Sequence, residues 1–290
     1  MIKMNKANNN SKKSRFQIVW RRLKKNKMAM LGLYVIILMI IISALAPYLA
    51  PYDYDRQDYN AVLAGPCQEH KLGTDEFGRD ILSRLLYGAK YSFEFGIVAV
   101  AVGAAIGLFL GSIAGFFGGR IDNIIMRFLD IYQSVPMMVM AIALTASMGS
   151  GMRSAVIAIG ISTMPIYARL IRGSLLEIRG MEYIEAATAI NASKMRILLR
   201  HMIPNAISPV IVTLTMSVGL NVLAGASLSF VGLGAQQPLP EWGAMLSAGR
   251  GFMRDYPRLV IFPGILIMIL VLAFNMFGDG LRDALDPRQN

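Results

Sequence analysis

The chain has little of what soluble enzymes use. Its single cysteine, Cys67, excludes an intrachain disulfide, and no CxxC or His/Cys cluster offers a metal site. Its two histidines, His70 and His201, fall on opposite sides of the membrane topology that the cations imply, and no nucleophile–base pairing is visible. An enzyme is the least favoured class. There is no Gly-Lys pair, so a P-loop lysine has no position and any ATP chemistry must come from another chain. Charged residues are scarce as well, at 16% of 290 residues, where a soluble domain has about 25%.

What is present is apolar length. Hydrophobic residues make up 55% of the chain and mean hydropathy is +0.50. Six apolar segments are legible: 29–49, 93–116, 128–148, 155–171, 206–231 and 259–277. Each approaches the roughly 20 residues that a membrane-spanning helix needs. The fold class is therefore all-α, a polytopic membrane bundle of about six helices. The first run, from Met28 to Leu49, is too long for a signal-peptide core, and Ala46-Pro47-Tyr48 is a poor cleavage site; it reads as a retained span. The 20 methionines suit soft packing and lipid contact.

A net charge of +11 suggests nucleic acid until the cations are located. Lys3, Lys6, Lys12, Lys13, Arg15, Arg21, Arg22, Lys24, Lys25 and Lys27 all precede the first span. Cations cluster this way on the cytoplasmic side of spans, which excludes a nucleic-acid partner and makes lipid the environment. Placing the N-terminus inside also places Arg120, Arg127, Arg169, Arg172, Arg179, Lys194, Arg196, Arg200, Arg282 and Arg288 inside. Six spans then leave both termini in the cytoplasm. The organisation is a basic head (1–28), a first span (29–50), an outside loop (51–90), a five-helix core (91–280) and a tail (281–290).

Gly103, Gly107, Gly111 and Gly115 repeat every four residues in the second span. That spacing makes a stripe of small residues, a ridge where another helix approaches closely. Intramembrane polar groups are few. Asp130 is expected to pair with Arg127, while Asn221 and Asn275 are too sparse for a proton relay. Outside, Thr74 or Asp75 is expected to cap a short amphipathic helix with Phe77, Ile81, Leu82, Leu85 and Leu86 on one face, ending at Gly88. A second surface helix is expected around Glu241-Trp242, with Trp242 at the membrane interface.

The inside loop 174–205 is long for a compact bundle. Residues 182–190 favour a helix. Asn191 tolerates a left-handed helix end, Ser193 can cap a new helix, and Pro204 is expected to stop it. The predicted motif is helix–turn–helix, flat on the cytoplasmic face.

In this loop Glu185-Ala186-Ala187, the turn residue Asn191 and Ile203-Pro204 resemble the EAA loop of binding-protein-dependent ABC importer permeases. Two positions depart from that pattern: Asn191 replaces the usual Gly, and Ile203 the usual Leu. Further blocks are similar to the second, "C"-type permease of dipeptide, oligopeptide and nickel importers. They are 72–80 with Ser83-Arg84, 228–234, 241–245 and 278–287.

The resemblance implies a translocation pathway shared with a sister permease, two ATPase subunits that bind ATP and Mg, and an external solute-binding protein. This chain itself needs no cofactor. The implied coupling segment comprises Glu182, Glu185, Ala186, Ala187, Asn191, Lys194, Arg196, Ile203 and Pro204, with Ala186 and Ala187 allowing close approach of the ATPase. Lys194, Arg196 and Arg200 either meet acidic ATPase residues or face solvent or lipid headgroups. Asp75, Arg79, Asp80, Glu241 and Trp242 either touch the binding protein or belong to plain surface helices. Peptides are the default substrate and nickel or a metal chelate the alternative. The competing class, an ion-driven secondary transporter, predicts intramembrane charge and helices interrupted at mid-membrane; Pro136 and Pro165 are the features that fit it. A scaffold or sensor without transport leaves the coupling loop without a purpose.

Overall fold

The computed structural model describes residues 15–285. Lys3, Lys6, Lys12, Lys13, Arg288 and the Asp286-Pro287 pair lie outside the described residues. Among the described residues the chain is helical apart from loops and one isolated bridge between Thr74 and Asp80. In order, the helices are α1 (Arg15–Leu23), α2 (Lys27–Leu49), α3 (Ile81–Phe117), α4 (Gly119–Gln133), α5 (Met137–Met148), α6 (Met152–Arg179), α7 (Glu182–Ala189) and α8 (Lys194–Arg196). A π-helical turn, Ile197–Met202, joins α8 to α9 (Ile203–Phe230); α10 (Trp242–Gly249) and α11 (Arg258–Leu285) complete the chain.

Among the described residues five segments are long and apolar enough to cross a membrane: α2, α3, α6, α11 and the rod Lys194–Phe230. The expected third span is not one helix. It is α4 and α5, which meet at an 85° bend. The break falls at Ser134-Val135-Pro136, where proline lacks an N–H and drives the residue before it out of the helical region. Pro165, by contrast, does not interrupt its span; it is buried inside the unbroken α6.

A second expectation also fails. The outer amphipathic helix and the second span are one helix, α3, of 37 residues. Thr74 and Asp75 do not cap it. Asp80 does, its carboxylate accepting from the Ser83 N–H at 2.7 Å. Gly88 does not end it either. A Cβ there would come within 2.8 Å of the Trp242 ring, so glycine is what lets α10 sit against α3.

The glycine stripe of α3 faces α6, its most extensive helix contact. A Cβ at Gly103 would lie 2.6 Å from the carbonyl oxygen of Gly160. At Gly115 it would lie 3.1 Å from the Arg172 Cα. The two backbones therefore touch, as close packing in lipid favours. The contacts Gly280–Ala29 and Gly278–Met216 bring the end of α11 beside the start of α2 and the middle of α9. One end of the bundle thus carries α1, α7, α8 and the end of α11, and is termed the loop end. The other, the capped end, carries the 51–80 loop and α10.

Candidate functional site

At the loop end, α6 stops at Arg179 and Gly180 turns the chain. Glu182 and Glu185 fill the first turn of α7, where carboxylates favour the helix dipole. Ile184 and Ala187 are buried against Ile171, Leu175, Ile178, Ile197, Leu198 and Met202, which fastens α7 to the bundle. The end of α7 is closed by two reciprocal bonds. The Asn191 N–H donates to the Thr188 carbonyl at 2.9 Å, and the Ala192 N–H to the Ala187 carbonyl at 3.1 Å. This is a Schellman closure, which needs a left-handed residue, and Asn191 has φ of 55°. Ser193 caps α8, its hydroxyl accepting from the Arg196 N–H at 3.4 Å.

Two residues of this segment behave differently from expectation. Pro204 does not stop a helix. The preceding turn widens, the Ile203 N–H bonding five residues back to the Leu198 carbonyl. Pro204 then sits in the first turn of α9, where its missing N–H costs nothing. Ala187 is buried, so its small size serves packing of α7 on the bundle and not approach of a partner. Ala186 is exposed.

The outward face of the segment is apolar. Tyr183, Ala186 and Ile190 share one side of α7 at helical spacing, with Ile190 80% exposed. Met195 and Leu199, further along the segment, are also exposed, at 63% and 56%. Sequence reasoning missed these four large residues, although an apolar set inside a charged loop was the available signal. Behind α7 lies a cleft of about 630 Å³ lined by Phe116, Phe117, Arg179, Glu185, Lys194 and Met202, among others. Glu185 thus lies at the edge between this cleft and the outward face. Lys194, Arg196 and Arg200 are exposed, and no ion pair involves them among the described residues.

The start of α4 is tied to α6 beside this segment. Arg172 grips Asp122 through two bonds of 2.5 and 2.6 Å. Asp130 pairs with Arg169 on α6 at 2.7 Å, not with Arg127. The crossing of α6 over α4 supplies a closer cation than the neighbour on Asp130's own helix.

The capped end corrects the expectation of an exposed contact surface. Asp75, Arg79, Asp80, Glu241 and Trp242 are all buried within this chain. The Asp75 carboxylate accepts from the Phe77 and Arg79 N–H groups, each at 2.9 Å, and from Arg79 Nε at 2.7 Å. Arg84 Nε lies 3.4 Å from the same carboxylate. Arg79 also reaches the Gln237 side chain at 2.6 Å, and Asp80 meets His70 Nδ1 at 3.0 Å. Glu241 caps α10 through the Gly243 and Ala244 N–H groups at 2.8 and 2.9 Å. Burial pushes its carboxyl above the usual range, against those bonds. Trp242 donates from Nε1 to the Leu85 carbonyl at 3.1 Å and lies in the core, not at an interface. Charged residues packed this way fold the loop onto the bundle.

No group of His, Cys, Asp and Glu among the described residues is arranged to hold a metal. A bundle of apolar helices long enough to cross a membrane, with a short amphipathic helix at one end, defines a polytopic membrane protein. The chain belongs to the family of binding-protein-dependent transport system inner membrane components, which it matches over residues 107–290. Residues 14–66 match the N-terminal transmembrane domain of oligopeptide transport permease C.

Among curated relatives, the glutathione transport system permease protein GsiD of Pectobacterium atrosepticum is 45% identical over 270 residues, covering 93% of this chain and 90% of that protein. The dipeptide transport system permease protein DppC of Alkalihalophilus pseudofirmus is 45% identical over 269 residues, covering 93% and 88%. The inward-facing MetNI methionine ABC transporter aligns with a TM-score of 0.58 at 21% identity, covering 71% of this chain and 98% of that one. An amino acid ABC transporter with histidines aligns at 0.54 and 16% identity, covering 70% and 94%. At those identities the solved structures show the fold alone. The chain is a transport permease subunit and not an enzyme, with the ATPase carried by a separate subunit.

Proposed function

We propose that this chain is the permease subunit of an ABC importer for small peptides, of dipeptide to glutathione size. The substrate class follows the names of the relatives. In this reading a sister permease completes the pathway, two ATPase subunits bind ATP and Mg, and an external binding protein delivers the peptide. The loop end faces the cytoplasm and so do both termini, in accord with Arg120, Arg127, Arg169, Arg172, Arg179, Lys194, Arg196 and Arg200.

The observation that carries the reading is α7. It is a helix fastened on one face by Ile184 and Ala187, closed at Asn191, and left with Tyr183, Ala186 and Ile190 uncovered. An apolar face held rigidly outside a bundle fits the groove of a partner protein. The ATPase docks there, with Glu182 and Glu185 at the helix start and Lys194 and Arg196 at the flank. Closure of the ATPases pulls α7 and, through the π-helical turn and Ile203-Pro204, the rod α9. The force is transmitted only if the ATPase contacts differ between the two states.

The test is ATP hydrolysis by the reconstituted complex, with and without binding protein and peptide. Glu185→Arg is expected to abolish peptide-stimulated hydrolysis and uptake while the complex still assembles. Normal uptake by that variant, or uptake that persists without ATP and follows an ion gradient, sinks the proposal.

A further inference from the structure

The N-terminal helix is not used by the coupling reading, yet it is built onto the bundle. Val19 and Leu23 of α1 pack with Ala29, Phe277 and Ala284, fixing α1 against α11. At 100° per residue, Arg21 then lies opposite that face with Trp20 and Ile18 on either side, and Lys24 and Lys25 follow in the turn after α1. Arg21, Lys24, Lys25 and Lys27 are all exposed, and no ion pair involves them among the described residues. No Asp or Glu precedes Asp53 in the sequence, and of the acids on α11, Asp283 meets the Asn26 side chain at 3.5 Å. Lys24 Nζ stands 5.2 Å from the Trp20 ring centre. A shallow recess of about 210 Å³ lies among Gln17, Ile18, Arg21, Arg22 and Lys25. The apolar, outward-facing Met28 and Leu31 begin one turn further along, in α2. The cations therefore sit at headgroup depth when α2 is in the bilayer, with an indole beside them, as interfacial helices require.

We propose that α1 and the turn after it are a docking surface for the headgroups of anionic phospholipid. Phosphates of the lipid leaflet meet Arg21, Lys24, Lys25 and Lys27, and Trp20 and Ile18 enter the interface on either side. The lipid so held clamps α1 to the last turns of α11.

Trp20 supplies the readout, because the chain's other tryptophan, Trp242, is 1% exposed. The complete transporter is placed in phosphatidylcholine nanodiscs containing increasing brominated phosphatidylglycerol or brominated phosphatidylcholine. The Trp20 signal is the fluorescence of wild type minus that of Trp20→Phe. Brominated phosphatidylglycerol is expected to quench it at a several-fold lower mole fraction. The triple variant Arg21→Gln, Lys24→Gln, Lys25→Gln is expected to abolish that preference at low salt, since each cation near the surface is worth about fivefold in binding. The charge-preserving variant Arg21→Lys, Lys24→Arg, Lys25→Arg is expected to keep it, which separates charge from misfolding. Equal quenching by the two lipids overturns the proposal, as does a preference that survives the triple glutamine variant. Competition by millimolar inorganic phosphate would instead mark a free-anion site. Loss of ATPase subunits from the glutamine variant with the lipid preference intact would mark a protein interface. Either result also overturns it.

Discussion

Charge is handled in opposite ways at the two ends of the bundle. At the capped end Asp75, Arg79, Arg84, Asp80 and His70 are buried against one another, and a tryptophan and a helix cap close the gap to α10. At the loop end Glu182, Glu185, Lys194 and Arg196 stay exposed beside Tyr183, Ile190, Met195 and Leu199. Buried charges need partners, and these pair with one another, although Arg79 Nη2 has no hydrogen bond and stands 3.7 Å from Glu76, so the capped end is a packed interior. Exposed apolar side chains on a rigid helix are an unfinished one, which the proposed ATPase contact would complete. The same sequence thus builds an anchor at one end and a handle at the other.

The sharpest way to break this contrast is to empty the anchor. Asp75→Ala leaves Arg79 and Arg84 buried without their shared carboxylate. It is expected to cost about 3–5 kcal/mol, seen as a large fall in the thermal midpoint of the purified complex. A loss under about 1 kcal/mol would mean that water reaches these charges and that the anchor is ordinary surface.

The handle should respond in function before stability. Asn191→Ala puts a Cβ without a compensating polar group at φ of 55°, a local strain of about 1–2 kcal/mol. Peptide-stimulated ATP hydrolysis is expected to fall while the thermal midpoint of the complex barely moves. Asn191→Gly is expected to keep full stimulation. Equal behaviour of the two variants would show that the left-handed closure is not what aims α7.

The smallest effect separates capping from charge at Glu241. Burial raises its carboxyl, and a raised carboxyl stabilises the fold fully below its unfolded pKa, about 4.3. That contribution fades as pH climbs through the higher folded value. Glu241→Gln keeps an acceptor for α10 and carries no charge at any pH. Its thermal midpoint is expected to gain on wild type as pH rises from about 4.3 toward neutrality. A constant gap across that range would show that the buried group behaves as an ordinary cap.

The resemblance of the EAA segment pointed to the family, and the local structure of α7 was legible for plain reasons. Acidic residues open it, Asn191 closes it and Ser193 caps α8, all of which are interactions between near neighbours. The glycine spacing of α3 was legible on the same basis, because a four-residue period fixes a helix face. Composition and the apolar runs by themselves determined an all-helical membrane bundle, since apolar length has few other uses.

Tertiary structure decided the rest. The 85° turn at Pro136, the passage of α3 past Gly88 and of the α8–α9 rod past Pro204 depend on which neighbours satisfy or crowd the backbone. The choice of Arg169 over Arg127 by Asp130 depends on where α6 crosses α4. Asp75, Arg79, Glu241 and Trp242 look like surface chemistry in one dimension. They are interior because residues more than 150 positions apart in sequence close over each other, as the bond from Arg79 to Gln237 shows. Local patterns set helix faces and ends; only the folded packing sets which faces stay open, because burial is a property of the assembled neighbours and not of the residue.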